Sequence, residues 1–100
     1  MTNKVLEVVE FKLNSGANPE EFLQQALAAE EFIKSLDGCE GRYLTAGEDG
    51  LWADIVQWRD MDAASHASKV FPKAEQVQGM MKMIDGQTVR LQHLTVQKMG

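Results

Sequence analysis

The sequence predicts an α+β domain in which strands and helices follow one another in the order βαββαβ. Two segments repeat apolar residues at helical spacing, and four short segments are rich in β-branched and aromatic residues. Together they make two βαβ halves, which form the ferredoxin-like arrangement: a four-stranded antiparallel sheet with both helices on one face. Because 100 residues are enough for one domain and too few for two, we expect a single domain over residues 1–100.

The first half of the chain has clear boundary signals. Residues 4–13 are rich in β-branched and aromatic side chains and predict the first strand. Asn18 is a favourable N-cap, and Pro19 suits the first position of a helix. Apolar residues then recur at helical spacing, which predicts an amphipathic helix from about residue 19 to residue 36. We expect Gly38 to end this helix as a C-cap.

The second half repeats the pattern with more irregularity. Alternate residues from Trp52 to Trp58 share one face, as they do in a strand. A second helix starts near Met61, and Pro72 should interrupt it because proline lacks an N–H and clashes with the preceding turn. The remaining elements are predicted as strands over 40–46, 51–59 and 88–98, a hairpin turn over 47–50 and a further helical stretch over 74–84.

The composition argues against several classes of function. A net charge of −5 and a pI near 4.9 disfavour nucleic-acid binding, because an acidic surface repels phosphates. No apolar run approaches the roughly 20 residues of a membrane-spanning helix, and the first residues lack the pattern of a signal peptide. A single cysteine, Cys39, excludes an internal disulfide and a multi-cysteine metal site. We therefore expect a cytoplasmic protein with neither nucleic acid nor membrane as a partner.

The first and third strands carry apolar side chains on both faces, which predicts self-association. The helices can cover one face only, so Leu6, Val8 and Ile55 on the other face would form part of an exposed apolar patch. Packing against the same face of a second copy would cover this patch, and two-fold symmetric contacts are the commonest kind. The sequence therefore predicts a homodimer.

Two short motifs carry a resemblance to a known group of proteins. The third strand reads W-x-D-I-V-x-W at 52–58, and the helix after it reads D-A-A-S-H-A at 62–67. With the βαββαβ order, they resemble the dimeric α/β-barrel superfamily and, within it, the antibiotic-biosynthesis monooxygenase-like domains. This resemblance implies a dimeric α/β barrel and chemistry on an apolar or aromatic substrate, which some members oxygenate without a cofactor. Fold-level kinship says little about chemistry, because members of the superfamily differ widely in activity.

The resemblance also leaves haem open as an alternative ligand. The haem-degrading branch pairs a tryptophan of the third strand with a histidine on the following helix, and Trp58 and His66 loosely reproduce that pair. The same branch has an asparagine on the first strand, where this chain has Glu7 and Glu10. We therefore expect no cofactor, with haem as the alternative.

The candidate site lies on the helix-facing side of the predicted sheet. If Trp58 points that way, as the resemblance implies, then Trp52 and Asp54 do so too, and Glu7 shares a face with Val9. His66 lies among alanines that leave room for a ligand, and imidazole can carry a proton near neutral pH. The candidate site residues are catalytic His66 and Asp54, with Glu7, Trp52, Trp58 and Phe71 lining the pocket.

Each candidate also has a purely structural interpretation. Asp54 and Glu7 could lie in water at strand ends or pair with a basic side chain, because a buried carboxylate needs a partner. The basic residues that could pair with them are Arg42, Arg59 and Lys34. His66 could lie on the solvent side of its helix, and His93 on the fourth strand could be structural or part of the dimer contact. With only two histidines, the sequence offers no dense set of metal ligands.

Two hypotheses of function remain open at this point. In the first, the chain is an enzyme in which His66 handles protons, Trp58 stacks on the ligand, and Asp54 or Glu7 orients or deprotonates it. In the second, the chain is a non-catalytic dimeric module that binds a ligand or a partner protein. The enzyme hypothesis requires one closed pocket that holds His66 together with at least one of the two carboxylates.

Overall fold

In the computed structural model, which describes residues 3–100, the chain forms one antiparallel sheet with helices on one face. The strands lie in the order β2-β3-β1-β4, so the two edge strands are β2 and β4. This arrangement confirms the predicted fold class. The strands are β1 (Val5–Phe11), β2 (Cys39–Ala46), β3 (Trp52–Trp58) and β4 (Arg90–Thr95), and the helices are α1 (Pro19–Ser35), α2 (Met61–Val70) and α3 (Gln78–Met81).

The first helix forms where the sequence predicts it. The Asn18 side chain accepts hydrogen bonds from the backbone N–H groups of Glu20 and Glu21, at 2.8 and 3.3 Å, and so caps α1. Phe22 is completely buried, and its ring meets the ring of Phe11 edge-on at a centroid distance of 5.6 Å. The apolar stripe of α1 therefore packs on the sheet and forms the core with it.

The end of α1 differs from the prediction. The C-cap is Leu36 in an extended conformation, so the expected glycine cap is wrong. Gly38 is required for another reason. Its φ angle is +86°, and a Cβ atom there would lie only 2.5 Å from the Cβ of Ala63. Glycine thus allows the chain to turn into β2 in close contact with α2.

The segment after α2 also departs from the prediction. Pro72 does interrupt the helix, and a 3₁₀ turn follows at Phe71–Lys73. The continuous helical stretch predicted over 74–84 is wrong, because this region forms a 3₁₀ turn at Glu75–Val77 and then the short α3. Tertiary contact prevails over helical periodicity here. A Cβ on Gly79 would overlap the Gln25 side chain, so α3 lies directly against α1.

The sheet register determines which side chains meet beneath the helices. Val5, Glu7, Val9 and Phe11 lie opposite Trp58, Val56, Asp54 and Trp52, respectively. Residues of β3 alternate strictly between buried and half-buried, which confirms the predicted face from Trp52 to Trp58. His93 of β4 lies opposite Glu7 on the other side of β1.

The other face of the sheet, called here the outer face, carries no helix formed by residues 3–100. Leu6 is paired with Leu94, and Val8 with Ile55, so apolar side chains adjoin across three strands of this face. Leu94 is 45% exposed, and Tyr43 on the edge strand β2 is 71% exposed. None of the helices described over residues 3–100 is long and apolar enough to cross a membrane.

Candidate functional site

A cavity of about 360 Å³ lies between the sheet and the helices. Its wall is mainly apolar and comes from both layers of the domain, with Val56 and Trp58 from the sheet and Ile33 from α1. Phe71, Met80 and other residues of the irregular segment after α2 complete the wall. Three polar side chains also line it: Glu7, Asp54 and Ser68. An apolar cavity of this size with a few polar groups is the usual form of a small-molecule site.

Asp54 is fully engaged by a basic side chain. Arg42 donates from Nε to Oδ1 of Asp54 at 2.8 Å and from Nη2 to Oδ2 at 2.6 Å, which is a bidentate ion pair. The same guanidinium donates to the carbonyl oxygen of Ala26 at 2.9 Å and is only 2% exposed. Asp54 is therefore paired with a basic side chain, which is one of the structural alternatives that the sequence left open. With both oxygens held by a cation, it is poorly suited to accept a proton.

Glu7 has a different environment. Its Oε2 atom lies 3.1 Å from Nε2 of His93 and accepts a hydrogen bond from the Ser68 hydroxyl at 3.0 Å. Oε1 of Glu7 has no hydrogen-bond partner among residues 3–100. A carboxylate that is fixed through one oxygen and free at the other can accept a proton from a bound ligand. Glu7, His93 and Ser68 are called here the Glu7 cluster.

Trp58 lines the same cavity and has a buried indole N–H. Its side chain is 1% exposed, and its indole Nε1–H has no partner among the described residues. A buried donor without a partner costs roughly 1–3 kcal/mol, so such a group is uncommon in a folded chain. Nε1 itself is inaccessible to solvent, so Trp58 lines the cavity through its other atoms.

The structure brings together only some of the predicted site residues. Glu7, Asp54, Trp58 and Phe71 all line the cavity, as expected. Trp52 is buried on the same face of the sheet but belongs to the core outside the cavity wall. Its ring packs edge-on against Phe22 at a centroid distance of 5.0 Å.

The predicted placement of His66 is wrong. His66 is exposed on α2, outside the cavity, whereas Ala63, Ala64 and Ala67 form the buried stripe of that helix. The requirement that one pocket hold His66 and a carboxylate is therefore not met. The Trp58–His66 pair does not fit haem either, because Trp58 faces the cavity and His66 lies outside it.

Sequence reasoning missed two members of the Glu7 cluster. Ser68 follows Ala64 by four residues and so belongs to the buried stripe of α2, which helical spacing could have revealed. His93 was predicted to be structural or part of the dimer contact. Its contact with Glu7 depends on the strand register, which the sequence does not specify. Over residues 3–100 no group of three or more potential metal ligands is present.

The structure is a ferredoxin-like α+β domain with an apolar cavity between the sheet and the helices. No protein-family model matches the sequence. No curated protein matches it either. Solved structures do match, over nearly the whole chain and at low sequence identity.

One similar structure is SnoaB from Streptomyces nogalater, a cofactor-independent oxygenase. It is 19% identical, with a TM-score of 0.76, and the match covers 97% of this chain and 96% of that one. A candidate antibiotic biosynthesis monooxygenase from Bordetella bronchiseptica is 13% identical, with a TM-score of 0.77 over 94% and 97% of the two chains. PA3566 from Pseudomonas aeruginosa is 18% identical, with a TM-score of 0.71 over 98% of each chain. The chain thus has the fold of the antibiotic-biosynthesis monooxygenase-like proteins.

Proposed function

We propose that this chain binds an apolar or aromatic small molecule in the cavity and removes a proton from it, as the first step of an oxygenation that uses no cofactor. The observation that carries the proposal is the free Oε1 atom of Glu7, a residue that lines a mainly apolar cavity. The likeness in fold to a cofactor-independent oxygenase supports the same chemistry.

A suitable substrate is an aromatic ketone with an acidic methylene group. Glu7 accepts one methylene proton, while Trp58 and the other apolar residues of the wall pack against the aromatic substrate. The resulting carbanion supplies the electrons that reduce dioxygen, and Glu7 returns its proton to the peroxide. Loss of water from the hydroperoxide leaves a second ketone, so one oxygen atom enters the product and the other becomes water.

Oxygen uptake with dithranol, an aromatic ketone of this kind, tests the proposal. We expect the protein to accelerate uptake above the rate in buffer alone, and Glu7→Gln to lower kcat by about a hundredfold or more. Glu31→Gln is the matched control, because it removes the same charge from the exposed side of α1. Equal rates for wild type and Glu7→Gln would contradict the role of Glu7.

A second outcome would support the binding module instead of the enzyme. In that case dithranol would quench the fluorescence of Trp58 on binding, while oxygen uptake stayed at the rate in buffer. Asp54 favours this alternative in one respect, because its bidentate pair with Arg42 removes one of the two candidate bases. The fluorescence titration and the uptake assay together separate the two functions.

We also propose that the active form is a homodimer joined through the outer face. Leu6, Val8, Ile55 and Leu94 adjoin on this face, and a soluble chain seldom leaves so contiguous an apolar surface bare. Native mass spectrometry should find a dimer for the wild type. Ile55→Glu would bury a charge in the contact and should give a monomer, whereas Leu27→Glu, on the exposed side of α1, should not. A wild-type monomer would overturn the proposal.

A further inference from the structure

The Glu7 cluster has a geometry that assigns a role to His93. The register of β1 and β4 places His93 directly opposite Glu7, so the contact is built into the sheet. The Ser68 hydroxyl approaches the same carboxylate from α2 and lies 3.5 Å from Nε2 of His93. Both neighbours contact Oε2 of Glu7, and neither contacts Oε1.

The two neighbours do not hold Glu7 equally. The Ser68 hydroxyl has one proton, and it can donate that proton either to Glu7 or to the carbonyl oxygen of Ala64, which is 3.1 Å away. For His93 Nε2, Oε2 of Glu7 at 3.1 Å is the nearer of two partners described over residues 3–100, and the Ser68 hydroxyl at 3.5 Å is the weaker one. His93 is therefore the stronger constraint on the orientation of the carboxylate.

We propose that His93 is a positioning residue for Glu7: it holds Oε2, with help from Ser68, and thereby leaves Oε1 available to a ligand in the cavity. The inference rests on the proposed function, because it assumes that Glu7 accepts a proton from the ligand. His93 is absent from the cavity wall and so acts through Glu7 rather than on the ligand itself. Its side chain is 22% exposed and that of Glu7 13%, so solvent alone does not orient the carboxylate.

Fluorescence of bound 2-naphthol tests this role without requiring turnover. In its excited state 2-naphthol is a strong acid, and it emits as the naphtholate when a base in contact takes its proton. The related 2-methoxynaphthalene has no such proton and reports binding alone. We expect naphtholate emission from wild-type complexes and neutral-naphthol emission from Glu7→Gln complexes, with similar affinity for 2-methoxynaphthalene.

Two substitutions of His93 then separate positioning from general structure. His93→Ala should shift the emission toward neutral naphthol and leave the affinity for 2-methoxynaphthalene unchanged. His93→Gln keeps an N–H donor near Oε2 and should restore naphtholate emission. In oxygen uptake with dithranol, His93→Ala should lower kcat by about tenfold or more with little change in KM, a smaller loss than that of Glu7→Gln. His66→Ala, the substitution of the exposed histidine, is the matched control and should behave as wild type.

The possible failures are distinguishable. If Glu7→Gln abolishes naphtholate emission but His93→Ala leaves it intact, the role of His93 is overturned and the role of Glu7 stands. If Glu7→Gln leaves the emission intact, the proposed base is wrong, and the positioning role falls with it. If neither naphthalene binds to the wild type, the cavity proposal and this inference are both overturned. Dependence of the emission on His93 supports the inference even when dithranol is not oxygenated.

Discussion

Asp54 and Glu7 lie on adjacent strands, face the same cavity and differ in what holds them. Their side chains are similarly buried, with 11% and 13% exposure, so burial does not explain the difference. Arg42 occupies both oxygens of Asp54, whereas the contacts of Glu7 converge on one oxygen. The comparison teaches that a carboxylate in a cavity becomes available for chemistry through an incomplete set of partners. Depth of burial alone does not make a carboxylate available for chemistry.

The largest expected effect is on the stability of the protein when the Arg42–Asp54 pair is broken. Asp54→Ala would leave the buried Arg42 guanidinium with only the Glu30 carboxylate, 3.9 Å away and partly exposed, and we expect the free energy of unfolding to fall by about 3 kcal/mol. Urea denaturation followed by circular dichroism measures this change. The double variant Arg42→Met/Asp54→Leu removes both charges and should recover most of the loss. A single variant as stable as the wild type would show that the pair does not hold the sheet to α1.

A smaller effect on stability is expected at Glu7. Glu7→Gln keeps the volume of the side chain and a hydrogen-bond acceptor, so the free energy of unfolding should change by about 1 kcal/mol or less. The same urea titration makes the comparison direct. A loss as large as that for Asp54→Ala would mean that Glu7 is a structural anchor, and the proposed division of roles would fail.

The smallest expected effect is on the pH dependence of stability. It comes from Asp60, the N-cap of α2, which is the helix that carries Ser68. The backbone N–H of Ala63 donates a hydrogen bond to Asp60 and lowers the pKa of this carboxyl, with a further contribution from Arg59. Because the folded-state pKa is lowered, the stabilisation is present above the unfolded-state value and is lost as the pH falls below about 4. Asp60→Asn keeps an N-cap that does not titrate. We expect it to weaken the fall of the urea midpoint between pH 5 and pH 3.

The control for this pH effect is the pair of carboxylates that continue to titrate in the variant. Arg59 lowers the pKa of Asp37, and Lys4 lowers that of Glu40, in each case through a side-chain hydrogen bond. Part of the acid sensitivity should therefore persist in Asp60→Asn. A pH profile identical to that of the wild type would contradict the role of the Asp60 cap.

Local patterns in the sequence were sufficient for the fold. The Asn18 cap, the alternation from Trp52 to Trp58 and the break at Pro72 all depend on neighbouring residues, and the structure contains each of them. The segment 74–84 was mispredicted because its helical periodicity is overridden by close packing of α3 on α1. Such packing depends on residues distant in sequence, and a periodic pattern within one segment contains no information about them.

For the candidate site, the sequence predicted which face of the sheet each side chain lies on, but not which side chains it contacts. Alternation along the strands placed Glu7, Asp54 and Trp58 on the helix-facing side, where the structure has them. Whether a carboxylate is paired with a cation depends on which side chain of the neighbouring strand lies beside it. Strand register determines this neighbour, and it brings Arg42 of β2 to Asp54 and His93 of β4 to Glu7. His66 was misplaced because small neighbours suggested room for a ligand, although the buried stripe of α2 runs through the alanines instead.

The irregular segment after α2 has a consequence for how the cavity opens. Phe71, Pro72, Met80, Met81 and Ile84 form part of the cavity wall, yet this stretch contains only short turns and a four-residue helix. Short turns have few backbone hydrogen bonds to lose, so local unfolding should expose the cavity at a lower free energy than global unfolding does. Amide hydrogen exchange over residues 71–84 should therefore be faster than in β1 and β3. A bound ligand that contacts this part of the wall should slow exchange in residues 71–84 first. We therefore expect ligands to enter the cavity through this segment.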